Sequence, residues 1–269
     1  MSTFSAEWLE LRESYDRAAR NAAVLDAVAA AFLGVPSIAV VDLACGTGAT
    51  LRALAGHLAP RQSWRLVDNN LSLLAEAATA GRAPALTVTA VPVDLARDLE
   101  LALDGPLDLV TASALLDLVS AEWLDRLAVE AAARRLPVYA ALSYDGRAMI
   151  EPARPLDSEL LAGFNRHQRT DKGFGPALGP TAAARAAERF EHFGYSVVQG
   201  RADWICGPDD RAVQDAIFTG WAELAPLATG LAGAEVESWL AARRVCLAEG
   251  RSRLRVGHVD IFARPIGTR

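Results

Sequence analysis

From residue 37 onward, short apolar runs alternate with stretches of helical spacing, and this order restricts the fold more than any other property of the chain. "SIAVVDLA" is an unbroken apolar run, the pattern of a strand buried on both faces. "GTGATLRALAGHLA" then reads as a glycine turn feeding a helix. "SWRLVDNN" is a second strand, and "SLLAEAATAG" a second helix that stops at Gly81. "ALTVTAVPVD", "PLDLVTASALL" leading into the helix "SAEWLDRLAVEAAARR", and "LPVYAALSY" extend the series. Such repeats predict an α/β fold: a Rossmann-like doubly wound sheet, mostly parallel, with helices on both faces. The helix "PTAAARAAERFEHFG" and two late strands follow, "YSVVQGRADWI" and "RLRVGHVDIFARP". They lack a crossover pattern and are expected to pair antiparallel at one edge. Between them, from about Asp210 to Ala248, lies a late helical insertion. A helical N-terminal segment carries Trp8, Leu11, Tyr15, Ala18, Ala22 and Leu25 at helical spacing and ends near Gly34 and Pro36.

Half of the residues, 52%, are hydrophobic, enough for a sizeable core in one large domain. A net charge of −6 with 22% charged residues sets aside duplex nucleic-acid binding through bulk charge, though not a local basic patch. The cysteines, Cys45, Cys206 and Cys246, form no CxxC pair, no disulfide framework and no metal cluster. The N-terminus is charged and amphipathic rather than a signal peptide. The longest apolar stretch, Ala27 to Val41, is broken by Gly34 and Pro36 and is too short to span a bilayer. A soluble cytoplasmic protein is expected.

In open α/β sheets ligands bind beyond the carboxyl ends of the strands, near the switch point. The first strand–helix turn, "VVDLACGTGATL", is the place to look. Gly46 and Gly48 permit close backbone approach, and the following helix offers free N–H groups. Asp68 ends the second strand, where a carboxylate can accept two hydrogen bonds from a ribose diol. Asp94 ends the third, where it can take a bond from an adenine amine with Leu95 against the ring. Together these acids suggest a nucleoside site. Leu51 stands where a dinucleotide fingerprint wants a small residue. Asp42, inside the first strand, would repel a pyrophosphate. Both disfavour a nicotinamide dehydrogenase and suit a ligand with a positive end.

"VVDLACGTG" resembles the first motif of class I S-adenosylmethionine-dependent methyltransferases. "LVDNN" is similar to their second-strand acid, "VDL" to their third-strand motif and "LDLVTASALLDL" to their fourth strand, covering roughly residues 38–145. One departure is Ala44, where the family often has glycine. The resemblance implies S-adenosylmethionine as cofactor. It implies that Asp42 positions the amino end, and that Ala44, Cys45 and Gly46 line the methionine portion. Asp68 and Asn69 would hold the ribose, Asp94 and Leu95 the adenine, and Ser113 would face the methyl group. Arg20, in "SYDRAARN", either pairs with the cofactor carboxylate or belongs to a solvated face. A single domain over residues 1–269 then divides into a helical cap (1–36), a cofactor-binding core (37–145), a substrate loop or lid (146–180) and a C-terminal part (181–269).

The acceptor side is less marked. The fourth strand runs into "TASALLDL" instead of Asn/Asp-Pro-Pro-Tyr/Phe, which argues against methylation of bases or glutamine. Asp117 is a candidate base or a cap of the next helix. The segment "FNRHQRTDKGFG" lies in a long connection from Tyr144 to Pro180, and long ordered loops tend to carry function. Arg166, Arg169 and Lys172 would present positive charge to an acceptor, and His167 is the candidate catalytic base, with a solvated loop as the plain alternative. Of the late aromatics, Trp204, at a strand end, is a substrate-contact candidate; the others suit a core or a dimer surface. A small soluble, anionic metabolite is the expected acceptor. A protein or RNA methyltransferase, and a cofactor-binding module without transfer, are the alternatives.

Overall fold

The computed structural model describes residues 5–80 and 85–267; the stop expected at Gly81 lies outside them. Strand β1 (Ser37–Leu43) shows why an unbroken apolar run is needed. Ile38 and Val40 enter the core on one face, Val41 and Leu43 the core on the other, and all four are buried. Side chains alternate across a strand, so a central strand with a polar period would bury its polar half. β2 (Arg61–Asp68) and β3 (Leu86–Pro92) lie parallel on one side of β1. β4 (Leu109–Ser113) and β5 (Val138–Glu151) lie parallel on the other. The strand order therefore reverses between β1 and β4.

β6 (Tyr195–Arg201), β7 (Trp204–Cys206) and β8 (Arg253–Pro265) complete the order β3-β2-β1-β4-β5-β8-β6, with β7 beside β8. β8 runs antiparallel to β5, β6 and β7. The two late strands thus form the antiparallel pair, with β8 inside and β6 at the edge. "YSVVQGRADWI" is not one strand. It breaks at Ala202 and Asp203, where Asp203 takes ion pairs from Arg147 and Arg255.

Helices α3 (Ala49–Leu54), α4 (Leu71–Ala77), α5 (Leu95–Ala102), α6 (Ala121–Arg134) and α8 (Ala182–His192) flank the sheet. Asn70, Asp94 and Ser120 cap α4, α5 and α6 by accepting from backbone N–H groups of the first turn. Each cap contributes about 1 kcal/mol. α1 (Ala6–Ala19) and α2 (Ala22–Ala31) form the N-terminal helical segment. α9 (Arg211–Thr229) and α10 (Gly233–Ala248) form the late insertion. With α7 (Asp157–His167) they enclose a third core around Tyr144, Trp204, Phe218, Trp221 and Trp239. No described helix is long and apolar enough to cross a membrane.

The connection from Tyr144 to Pro180 is more structured than its composition suggests. β5 continues to Glu151 because β8 is long enough to pair with it there. α7 follows, and the segment "FNRHQRTDKGFG" divides: its first four residues end α7, and the rest forms the link toward α8.

Candidate functional site

One cavity opens over the carboxyl ends of β1, β2 and β4 and the start of α5. Its floor is Ala44, Cys45, Gly46 and Ser113; Asp68, Asn69, Asp94 and Leu95 stand at one end. Leu9, Arg12 and Asp16 of α1 and the loop Lys172–Phe174 close it from above.

The turn after β1 is left-handed at three places: Ala44 (φ 52°), Gly46 (φ 52°) and Gly48 (φ 82°). For Ala44 this costs roughly 1–2 kcal/mol, which explains why glycine suits the position. Gly46 has a second constraint, since a Cβ there would meet Leu9 Cδ1 at 3.1 Å. Asp68 holds the turn in place. Its Oδ2 accepts from the Gly46 N–H at 2.9 Å and its Oδ1 from the Asn70 N–H at 2.9 Å. A carboxylate has about four lone-pair sites, so both oxygens keep capacity for a ligand diol. Asp94 accepts from the Ala96 N–H at 3.1 Å with one oxygen, and its other lies 3.5 Å from Arg97. Leu73, Val93, Leu95 and Leu118 supply apolar surface between these acids. Two carboxyl acceptors beside an apolar slot match the donors of a ribose and an aminopurine.

Beneath the floor lies a buried polar layer. Asp42 is fully buried and does not line the cavity, so any effect on a ligand's amino end acts through the floor. Thr111 donates to its Oδ1 at 2.8 Å, while Oδ2 has no partner. Burial pushes its carboxyl up to about 7, against the pull of the Thr111 hydrogen bond and of Arg20. Arg20 is also withdrawn, because folding gives it better partners than solvent. It donates to Tyr139 Oη and to Ser113 Oγ, both at 3.0 Å, and does not line the cavity. Ser113 Oγ also accepts from Thr50 at 3.0 Å, so Ser113 is fixed at the floor.

The acceptor-side candidates separate. Lys172 lines the cavity. His167 stands behind it, its Nδ1 3.2 Å from Lys172 Nζ, and does not line the wall. Burial, with the neighbouring ammonium, holds the His167 imidazole below its usual value. Arg166 is exposed on α7 outside the cavity. Arg169 faces a different hollow, between α6 and α8, beside Asp125, Arg185 and Glu188. Trp204 is core. Its Nε1 donates to Asp16 at 3.0 Å, and its ring packs against Trp8, Tyr15 and His258. Asp117 does not cap α6, since Ser120 does; it is buried, and desolvation pushes it up to about 6. Leu9, Arg12 and Asp16 were not apparent from sequence. An Arg and an Asp four apart on a helix ordinarily form a solvated pair, and only the placement of α1 over the turn makes them a wall. Among the described residues no three His, Cys, Asp or Glu groups gather to hold a metal.

Residues 40–136 match the family model described as a methyltransferase domain. No curated protein matches the chain. Among solved structures, the chain is similar to a SAM-dependent methyltransferase from Thiobacillus denitrificans in complex with S-adenosyl-L-homocysteine. That match has 16% identity and a TM-score of 0.44, covering 97% of this chain and 99% of that one. A SAM-dependent methyltransferase from Geobacter sulfurreducens, also with S-adenosyl-L-homocysteine, has 17% identity and a TM-score of 0.44, covering 98% and 100%. A cyclopropane-fatty-acyl-phospholipid synthase-like protein from Lactobacillus casei has 17% identity and a TM-score of 0.49, covering 94% and 99%.

Proposed function

We infer, from a chain whose residues 40–136 match a methyltransferase-domain family model, that it transfers a methyl group to a small, soluble, anionic metabolite. The chain is a methyltransferase, and S-adenosylmethionine is its methyl donor. The residues and the acceptor are our reading. One observation carries it: a single cavity is lined by Asp68 and Asp94 and also by Arg12, Lys172 and Ser113.

The bound cofactor supplies a methyl group on a sulfonium, activated for in-line displacement. The chain's own part is to hold, align and exclude water. Asp68 accepts from the ribose hydroxyls, with Asn69 beside it. Asp94 accepts from the adenine amine, and Leu95 packs on the ring. Backbone at Ala44 to Gly46 lines the amino-acid portion. α1, with Leu118 and Phe174, covers the cavity; Phe174 is itself anchored edge-on against Trp123, ring centroids 5.5 Å apart. We read residues 1–36 as a cap, 37–145 as the cofactor core and 146–180 as the acceptor-side segment. The helical cover over the cavity favours a small acceptor over a protein or RNA. Three buried, unpaired cysteines suit the reducing cytoplasm, the compartment we propose.

Calorimetric titration with S-adenosylmethionine, S-adenosylhomocysteine and NAD is expected to give micromolar binding for the first two and none for NAD. Binding of NAD alone, or of none, would overturn the site assignment.

A further inference from the structure

Resting on that reading, we propose that Arg12 is the anion-recognising residue of the acceptor end, and that the methyl acceptor carries a carboxylate.

Arg12 is fixed from several sides. Its Nε and Nη2 donate to the two Asp16 oxygens at 2.9 and 3.2 Å. Asp16 is held in turn by the Trp204 Nε1–H at 3.0 Å. The guanidinium carbon lies 5.1 Å from the centroid of the Trp204 ring. An ordinary surface pair pays side-chain entropy and is screened, so it is worth little. This pair is nearly buried and backed by an indole, so ordering the guanidinium costs little when a ligand arrives. The third nitrogen, Nη1, has no partner among the described residues, and Arg12 is a wall of the cavity.

Asp117 Oδ1 and His258 Nδ1 are buried without a hydrogen bond, but neither residue lines the cavity, so a ligand there meets the guanidinium and not these atoms. Arg12 Nη1 lacks an acceptor, and a carboxylate supplies one through a charge-assisted hydrogen bond. Neutral His258, held down to about 3 by burial and by Arg12, adds no competing charge.

Position separates this subsite from the nucleoside. Leu9, one turn earlier in α1, sits over Gly46, whereas Arg12 reaches Trp204 of β7 and feels His258 of β8. Asp68 and Asp94 stand at the ends of β2 and β3, across β1 from those strands. Lys172, the other cation on the wall, is already engaged. Its ammonium donates to His167 O at 2.9 Å and Thr170 Oγ1 at 3.0 Å, and lies 3.2 Å from His167 Nδ1. Those contacts match its three hydrogens.

The test uses protein saturated with S-adenosylhomocysteine, titrated by calorimetry and ligand-observed NMR. The probes are benzoate and indole-3-acetate, with benzamide and indole-3-acetamide as neutral counterparts. Wild type is expected to bind the acids at least about tenfold more tightly than the amides. Arg12→Gln is expected to lose that preference with S-adenosylhomocysteine affinity within about twofold of wild type. Arg12→Lys keeps Asp16 paired but loses the fork, and is expected to keep only part of the preference. The inference is overturned if wild type shows no preference, or if Arg12→Gln retains it. It is also overturned if Arg12→Gln weakens S-adenosylhomocysteine about tenfold while sparing 5′-methylthioadenosine, which would assign Arg12 to the cofactor's own carboxylate. Failure of wild type to bind S-adenosylhomocysteine is a separate result, seen before any acid is added; it removes the cofactor reading and this inference with it.

Discussion

Asp68→Ala is expected to bind S-adenosylhomocysteine on the order of a hundredfold more weakly than wild type, as measured by calorimetry. The magnitude follows from what the carboxylate does. Hydrogen bonds to a charged acceptor are worth about 1.5–3 kcal/mol each, and a ribose diol offers two. Alanine also releases the Gly46 and Asn70 N–H groups that Asp68 holds at 2.9 Å, so the turn lining the cavity loses its brace. Asp68→Asn separates the two effects. It keeps the shape, but its NH2 group must face one of those N–H donors, so part of the loss should remain. Affinity for Asp68→Ala within about threefold of wild type would show that the ribose lies elsewhere.

Asp68 and Asp94 illustrate what a single chain discloses. Each stands at the end of a periodic apolar run, and periodicity fixes where a strand ends. The succession of strands, and the strand ends that bear both acids, follow from local patterns; the order of the strands in the sheet does not. Side-chain direction at a strand end is another matter. Asp42 and Asp68 look equivalent in sequence, yet one lies sealed under the floor and the other on the wall. The difference comes from Thr111 on β4, paired with Asp42 across the sheet, which no local pattern could supply. Arg20 fails for the same reason. Its partners, Tyr139 and Ser113, are distant in sequence, and together they draw the guanidinium inward. α7 was hidden because polar side chains dominate its last turn, whereas Leu160 and Phe164 on its other side meet the third core. Arg12 and Asp16 needed tertiary placement to become a wall rather than a surface pair. The alanine at Ala44 is the converse case, where the structure supplies the reason for a familiar glycine: its backbone is left-handed.

Asp42→Asn is expected to stabilise the protein in mildly alkaline solution and to have little effect in acid. The carboxyl is raised from 3.8 to about 7 because burial penalises its ionised form. Between roughly pH 4 and pH 7 the folded state therefore binds more protons at this site than the unfolded chain does, and stability falls as pH rises through that window. A displacement of that size corresponds to roughly 4 kcal/mol lost by pH 8. Asparagine cannot ionise, and its oxygen still accepts from Thr111. Other titrating groups are common to both proteins and cancel in the difference. Urea unfolding should show the variant gaining several kcal/mol over wild type between pH 4 and pH 8, on the order of the same displacement. An identical difference at the two pH values would refute the assignment of a raised carboxyl. A cost this large has a functional counterpart in the proposed site. A carboxylate under the floor attracts a cationic ligand above it, and the ligand in turn favours ionisation. Binding of S-adenosylmethionine near pH 6 should then release protons, measurable as a dependence of the calorimetric enthalpy on the ionisation enthalpy of the buffer. Asp42→Asn should abolish that dependence, and its persistence in the variant would place the titrating group elsewhere.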